Sequence, residues 1–182
     1  FNCLRSYALA DESALLMAAY PNERPQNPFP YFTEVMTGFE YTAAVGMLYE
    51  GQTKTGLQVI SDIRARYDGR KRSPFDEAEC GHHYARAMLS WGSVLALTGF
   101  HYSGVEKAMR FALNDGTFFW STGYAWGTCT IKQRAKSTRV ELVVLHGALP
   151  LQRCTLADYG THTLPRTRTL RPGPATRFTI TP

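Results

Sequence analysis

The chain changes character near Gly99, and this change most limits the folds open to it. Before Gly99, apolar residues recur at the spacing of one helix face: Tyr84, Met88, Trp91 and Leu95. After it, stretches such as 117–131 are rich in aromatic residues, threonine and glycine, which is typical of strands and bulged turns. Helices followed by strands in blocks indicate segregated α and β parts. We therefore predict an α+β chain that is helical over 1–99 and β-rich over 100–182.

Local signals predict where the helices end. One helix should follow a Thr33 cap, turn an apolar face that includes Phe39 inward, and stop at Gly51. The next should stop at Gly69, so the two should pack as an antiparallel pair. A third helix is predicted from about His83 to Leu97, and a short one over residues 11–18.

The second region carries strand signals. The sequence predicts a strand over residues 139–145 and a turn at His146-Gly147. It predicts the returning strand of a hairpin over residues 149–156. A last short strand is predicted over 177–181.

Composition narrows the class of protein. Hydrophobic residues make up 44% of the chain and aromatic residues 13%, which is enough for a packed core, while a net charge of +5 is modest. No run of about 18 apolar residues occurs, so no transmembrane segment is predicted. The four cysteines lack CxxC spacing, which argues against a zinc site or a disulfide framework.

Because the chain begins with Phe1 and no leader is visible, we expect it to start after processing or part-way through a longer product. These features leave the localisation open.

The segment from Ser73 to Trp91, SPFDEAECGHHYARAMLSW, combines carboxylates with an arginine at a predicted helix start. Acidic residues such as Glu77 are favoured there by the helix dipole, whereas Arg86 is disfavoured. Neighbouring carboxylates or an external ligand should therefore hold Arg86. Carboxylates and a guanidinium together can bind a polyhydroxylated ligand through directed hydrogen bonds, so this segment is the candidate site.

Three stretches carry a family resemblance: PFPYFTEVMTGFEYTAAVGMLYEG (28–51), PFDEAECGHHYARAMLSW (74–91) and GFHYSGVEKAMRF (99–111). Together they resemble the C-terminal end of the catalytic region of glycoside hydrolase family 116, which includes bacterial β-glucosidases and non-lysosomal glucosylceramidases. The family pattern is not met everywhere, because Met36 stands where relatives often have a tryptophan.

The resemblance implies the C-terminal portion of a retaining glycoside hydrolase that acts on β-glucosides or related glycosides, with neither metal nor cofactor. It implies C-terminal helices of an (α/α)6 barrel followed by a small antiparallel β appendage, with the remainder of the catalytic barrel as partner. Both catalytic carboxylates belong to upstream motifs, so no catalytic residue is expected here and the isolated chain should be inactive. By position in the motif, Glu77 and Arg86 would bind the outer hydroxyls of the glucosyl ring.

Less specific interpretations stand beside this one. Glu77 and Arg86 could be a structural ion pair at a helix start. Glu79 could orient Arg86 or cap the helix. The remaining candidates for the pocket wall are His82, His83 and Glu34. The adjacent histidines point to different helix faces, which argues against a metal site, and a first-turn acid explains Glu34. If the chain is the whole product, a noncatalytic glycan-binding or assembly module is the alternative.

Two further clusters have two interpretations each. The arginines of 64–72 and of the tail could suggest nucleic acid, but no recognisable binding motif accompanies them. A solvated face or a subunit contact is favoured, and no nucleic-acid partner is predicted. Trp120, Tyr124 and Trp126 could form a stacking platform for sugar, although aromatic residues this dense in a strand more often form core.

Overall fold

The computed structural model describes residues 8, 10–18, 20–23, 26–27, 35–76 and 86–182. The chain divides into two compact units, one ending at Ser93 and the other beginning at Val94. The helices are α1 (Thr37–Tyr49), α2 (Thr53–Arg66) and α3 (Ser90–Leu97), with a 3-10 turn at Arg86–Leu89. The strands are β1 (His101–Ser103), β2 (Ala108–Phe111), β3 (Gly116–Ser121), β4 (Ala125–Arg134), β5 (Ser137–Gly147), β6 (Leu149–Leu156), β7 (Gly160–Leu170) and β8 (Thr176–Ile180).

The first unit is built on the pair α1 and α2. A short connection at 50–52 joins them, and the helices contact each other as the spacing predicts. Buried side chains of both helices form one cluster: Tyr41, Ala44, Val59, Ile63 and Tyr67. Such burial of apolar area is what stabilises short helices, which are marginal alone.

The prediction of a helix over residues 11–18 is wrong. Residues 12–16 have no regular secondary structure, and their backbone groups bind side chains of the helix pair instead. Arg66 Nη1 donates to the carbonyl of Ser13 at 2.5 Å, and the Leu15 N–H donates to Glu40 Oε1 at 2.9 Å. Backbone groups that a helix would pair internally are thus satisfied by tertiary contacts.

The second unit is a pair of four-stranded sheets that share a core. One sheet has the order β3-β4-β5-β8 and is antiparallel throughout, while the other has the order β1-β2-β6-β7. In the second sheet β2 and β6 run parallel. Apolar residues at alternate positions face inward, as in β5, where Val140, Leu142 and Val144 are buried.

Strands β5 and β6 are not a hairpin, so that prediction is wrong. β5 pairs with β4 and β8, whereas β6 pairs with β2 and β7 in the other sheet. Both strands bury apolar residues in the same core, but each belongs to a different sheet of the sandwich. The chain changes sheets at Gly147, whose φ of +81° is a conformation that glycine adopts readily.

The predicted fold class is also wrong. The described residues contain three short helices and eight strands in two sheets, so the chain is mostly β and its helices are not those of an (α/α)6 barrel. The β part is no small antiparallel appendage, since it includes the parallel β2–β6 pairing and the eleven-residue strand β7. The sequence did not predict β7, because Leu164 and Leu170 are its only buried residues and Pro165 interrupts it.

None of the described helices has the length and apolar character needed to cross a membrane.

Candidate functional site

Arg86 is the candidate sugar-binding residue that the structure describes. It is half-buried and opens the 3-10 turn that leads into α3. The next residue, Ala87, packs against the cluster between α1 and α2. The backbone that carries Arg86 is therefore fixed by packing on the helix pair.

Gly38 provides the space for the Arg86 side chain. A Cβ atom built at Gly38 would lie 2.7 Å from the Cβ and 2.9 Å from the Cδ of Arg86. Carbon atoms pack without strain at about 3.5–4.0 Å, so any side chain at position 38 would displace the arginine. Gly38 lies in the first turn of α1 and is buried, which explains why this turn needs a residue without a side chain.

Phe39 fixes the other end of the arginine. The guanidinium carbon of Arg86 lies 5.0 Å from the centre of the Phe39 ring, which is the geometry of a cation–π contact. Phe39 is 45% exposed and lines a cavity of about 300 Å³ together with Met36 and Thr42. The guanidinium is thus held beside a small cavity at the start of α1.

Glu40, which also lines this cavity, belongs to a buried ion pair. Glu40 and Arg66 contact each other, and each side chain is 1% exposed. Burial raises the pKa of the Glu40 carboxyl above its ordinary value, although the hydrogen bond from Leu15 and the charge of Arg66 act in the opposite direction. Glu40 accepts hydrogen bonds from the Leu15 N–H and from Arg66, and Arg66 also donates to the Ser13 carbonyl, so the ion pair orders the segment around Ser13 and Leu15.

The other predicted site residues lie outside the described part of the chain: Glu34, Glu77, Glu79, His82 and His83. The proposed pairing of Glu77 with Arg86 and the roles of the two histidines therefore stay predictions. Among the described residues, no group of three or more His, Cys, Asp or Glu side chains is arranged to hold a metal ion.

Sequence reasoning missed Gly38 and assigned Phe39 wrongly. The helical period put Phe39 on the inward face of α1, yet its ring is half-exposed and supports Arg86. Met36 is buried and lines the cavity. In the sequence, Gly38 and Phe39 are marked only by standing next to each other in the first of the three resembling stretches. The spacing of apolar residues cannot reveal that the segment carrying Arg86 packs on them.

The basic run at 64–72 is not uniformly a solvated face. Arg66 is buried, and Arg72 donates to both carboxylate oxygens of Glu12 at 2.5 and 2.9 Å, whereas Arg64 and Arg70 are exposed. Arg66 and Arg72 therefore tie the chain around residues 12–13 to the helix pair.

The three aromatic residues of the β region divide between core and surface. Trp120 is fully buried in the shared core of the sandwich, as the core interpretation predicts. Tyr124 is 89% exposed and Trp126 is 43% exposed, and the Trp126 ring stacks on His146 with 4.2 Å between ring centres.

Comparison with known proteins adds no family: no protein-family model matches the chain, and no curated protein matches it.

Proposed function

We propose that this chain is the C-terminal portion of a retaining glycoside hydrolase that acts on β-glucosides or related glycosides, and that it supplies sugar-binding residues. The observation that carries the proposal is the seating of Arg86, whose stem lies on Gly38 and whose guanidinium lies over Phe39 beside a cavity. The resemblance adds Glu77 as the carboxylate partner. The nucleophile and the proton donor would come from upstream segments of the same protein.

The geometry of Arg86 suits a directional contact with a sugar oxygen. The guanidinium carbon lies over the Phe39 ring, and the N–H donors of a guanidinium lie in the plane of the group. Contacts with Gly38 and Phe39 restrict the rotamers of a long side chain, so less conformational entropy is lost when a ligand binds. Arg86 would donate to a ring hydroxyl or another sugar oxygen that enters the cavity from the Phe39 side.

Exposed apolar side chains after Arg86 support the view that this chain contacts further protein. Met88 is 70% exposed and Trp91 is 74% exposed, and Leu89 beside them is 38% exposed. Large apolar side chains clustered at a surface mark interaction sites. The remaining part of the hydrolase is the partner that we propose for this surface.

A noncatalytic glycan-binding or assembly module remains the second candidate. The observation that favours it is the exposure of Tyr124 and Trp126 in the β-rich unit, because aromatic rings at a surface can pack on the apolar faces of sugars.

Two measurements on the 182-residue chain test the hydrolase proposal: calorimetric titration with glucose, and hydrolysis of an aryl β-glucoside. The hydrolase proposal expects glucose binding that Arg86→Lys weakens roughly tenfold, since a charge-assisted hydrogen bond is worth about 1.5–3 kcal/mol. Arg64→Lys, the same change at an exposed arginine of α2, is the matched control and should bind glucose like the wild type.

In the enzyme extended by its upstream segments, Arg86→Lys should lower kcat/KM while Arg64→Lys leaves it unchanged. Glucose binding that is equal in both variants would remove Arg86 from the site. Turnover by the isolated chain would show that the catalytic carboxylates lie within it.

A further inference from the structure

The outer face of the β3-β4-β5-β8 sheet carries an ordered arrangement of charged and aromatic side chains. Successive residues of a strand alternate between the two faces, so the partners of the buried positions point outward. Across this face Lys132 lies opposite Arg139, and Glu141 lies opposite both Thr130 and Arg177. Successive rows along a strand are about 7 Å apart.

One end of this face is strongly basic. Two depressions of about 230 and 320 Å³ lie there, and Arg139 lines both of them. The charged side chains that line them are Lys132, Arg134, Arg139, Arg177 and Glu141. Glu141 is the single carboxylate of this set, and Arg177 Nε donates to it at 2.7 Å. The cations therefore outnumber the carboxylate, and the end of the sheet has a positive field.

The other end is aromatic. The register shifts between Trp126 and Gly127, and this irregularity brings His146 opposite Trp126 on the outer face. Gly127 has to be glycine, because a Cβ there would lie 1.8 Å from the carbonyl oxygen of Val143. The rings of Trp126 and His146 stack within 16° of parallel, so one face of the indole is supported. Phe119, on the same side of β3, is 43% exposed.

We propose that this outer face binds a polysaccharide that carries carboxylate groups. Arginine forks pair readily with carboxylates, and Arg177 already does so with Glu141. The supported ring of Trp126 offers a flat apolar surface to the C–H face of a sugar ring. The hydroxyls of Thr117 and Thr130, which are 2.8 Å apart between the two ends, suit sugar hydroxyls.

The same observations disfavour a polynucleotide. A polynucleotide also combines stacking with negative charge, but it would bring a row of phosphates over Glu141. Arg177 lowers the pKa of Glu141, so this carboxylate stays ionised and repels phosphate and carboxylate groups alike. A uronic acid ring also carries hydroxyls, so it can place its carboxylate on the arginines while one of its hydroxyls donates to Glu141. This proposal does not depend on Arg86 or on the hydrolase activity, because it concerns only residues of the β-rich unit.

The test is affinity electrophoresis of the 182-residue chain through gels containing polygalacturonate, neutral dextran or poly(U). We expect retardation by polygalacturonate that weakens with salt, and little retardation by dextran. Arg139→Gln and Trp126→Ala should each weaken binding roughly tenfold, the scale of one charged or stacking contact. Arg166→Gln is the matched control, since it removes one exposed arginine of β7 in the other sheet and should change nothing.

Thermal melting of every variant verifies folding, and if Trp126→Ala fails to fold, Arg139→Gln decides the charge requirement. Equal retardation by dextran would overturn the proposal, as would stronger binding to poly(U) at equal concentrations of charge. Equal losses for Arg139→Gln and Arg166→Gln would also overturn it, because binding would then follow total charge. An absence of retardation by polygalacturonate would refute it outright, whatever the result with glucose.

Discussion

Replacing Gly38 with alanine tests whether packing on α1 positions Arg86. The new Cβ would lie 2.7, 2.9 and 3.2 Å from the Cβ, Cδ and Cγ atoms of Arg86. The Cβ atom is bonded to the backbone, and the Cγ and Cδ atoms lie in the middle of the side chain, so rotation of the guanidinium end cannot relieve the contact. The segment at Arg86 must move away from α1.

The size of the effect follows from two opposing terms. Overpacking of a well-packed site costs about 1–3 kcal/mol. Glycine to alanine in a helix contributes about 0.5–1 kcal/mol in the opposite direction. We expect Gly38→Ala to lower the free energy of unfolding by roughly 0–2.5 kcal/mol, the difference between these ranges.

Gly46 offers a matched control in the same helix. A Cβ at Gly46 would meet no atom within 4 Å, so Gly46→Ala should raise the free energy of unfolding by about 0.5–1 kcal/mol. The helix-propensity gain is similar in both variants, and their difference of about 1–3 kcal/mol reports the contact with Arg86. Denaturation followed by the helical circular dichroism signal measures both, because the described helices lie within residues 37–97.

A double-mutant cycle assigns the effect to the arginine. In an Arg86→Gly background, which removes all three close atoms, Gly38→Ala should lose most of its penalty. If Gly38→Ala stabilises the chain as much as Gly46→Ala, or if its penalty persists without the Arg86 side chain, the packing argument is refuted.

Two further predictions concern buried groups. Glu40→Gln should cost about 3–5 kcal/mol in denaturation, because Arg66 would stay buried without its charged partner. Glu141→Gln, at an exposed ion pair, should change the stability little, and equal effects of the two changes would contradict this account. Burial raises the pKa of Cys154 to about 12 and also raises that of Cys129, so neither thiol should react with iodoacetamide near pH 8 until the chain unfolds. Unfolded thiols ionise near the ordinary pKa of 9.0, so the free energy of unfolding should fall as the pH rises above about 9. Mass spectrometry detects the labelling, and fast labelling of either cysteine in the folded chain would argue against a closed core.

Local signals made part of the fold predictable. The two helices end close to Gly51 and Gly69 as predicted, because helical spacing and a glycine stop signal are properties of neighbouring residues. The strand over 139–145 was predictable for the same reason, since its buried residues alternate strictly. The sheet order was not, because the pairing of β2 with β6 depends on residues far apart in the chain.

The sequence singled out Arg86 but not the residues that support it. Arg86 attracted attention because a cation at a helix start needs a reason, and this argument uses charge alone. Its actual supports, Gly38 and Phe39, come from another helix, and a period of apolar residues does not say which part of a helix face a neighbour covers. Tyr124 and Trp126 were ambiguous for a related reason, since strand composition does not distinguish the two faces of a sheet.

The parallel pairing of β2 with β6 also sets an order of assembly for the β-rich unit. Strands β3, β4 and β5 are consecutive and can pair by short loop closures as soon as they are synthesised. β2 must wait until β6 has left the ribosome, and closing so long a loop costs additional entropy. Until then the apolar inner side of the first sheet has no cover, so the nascent chain should depend on chaperones during this interval.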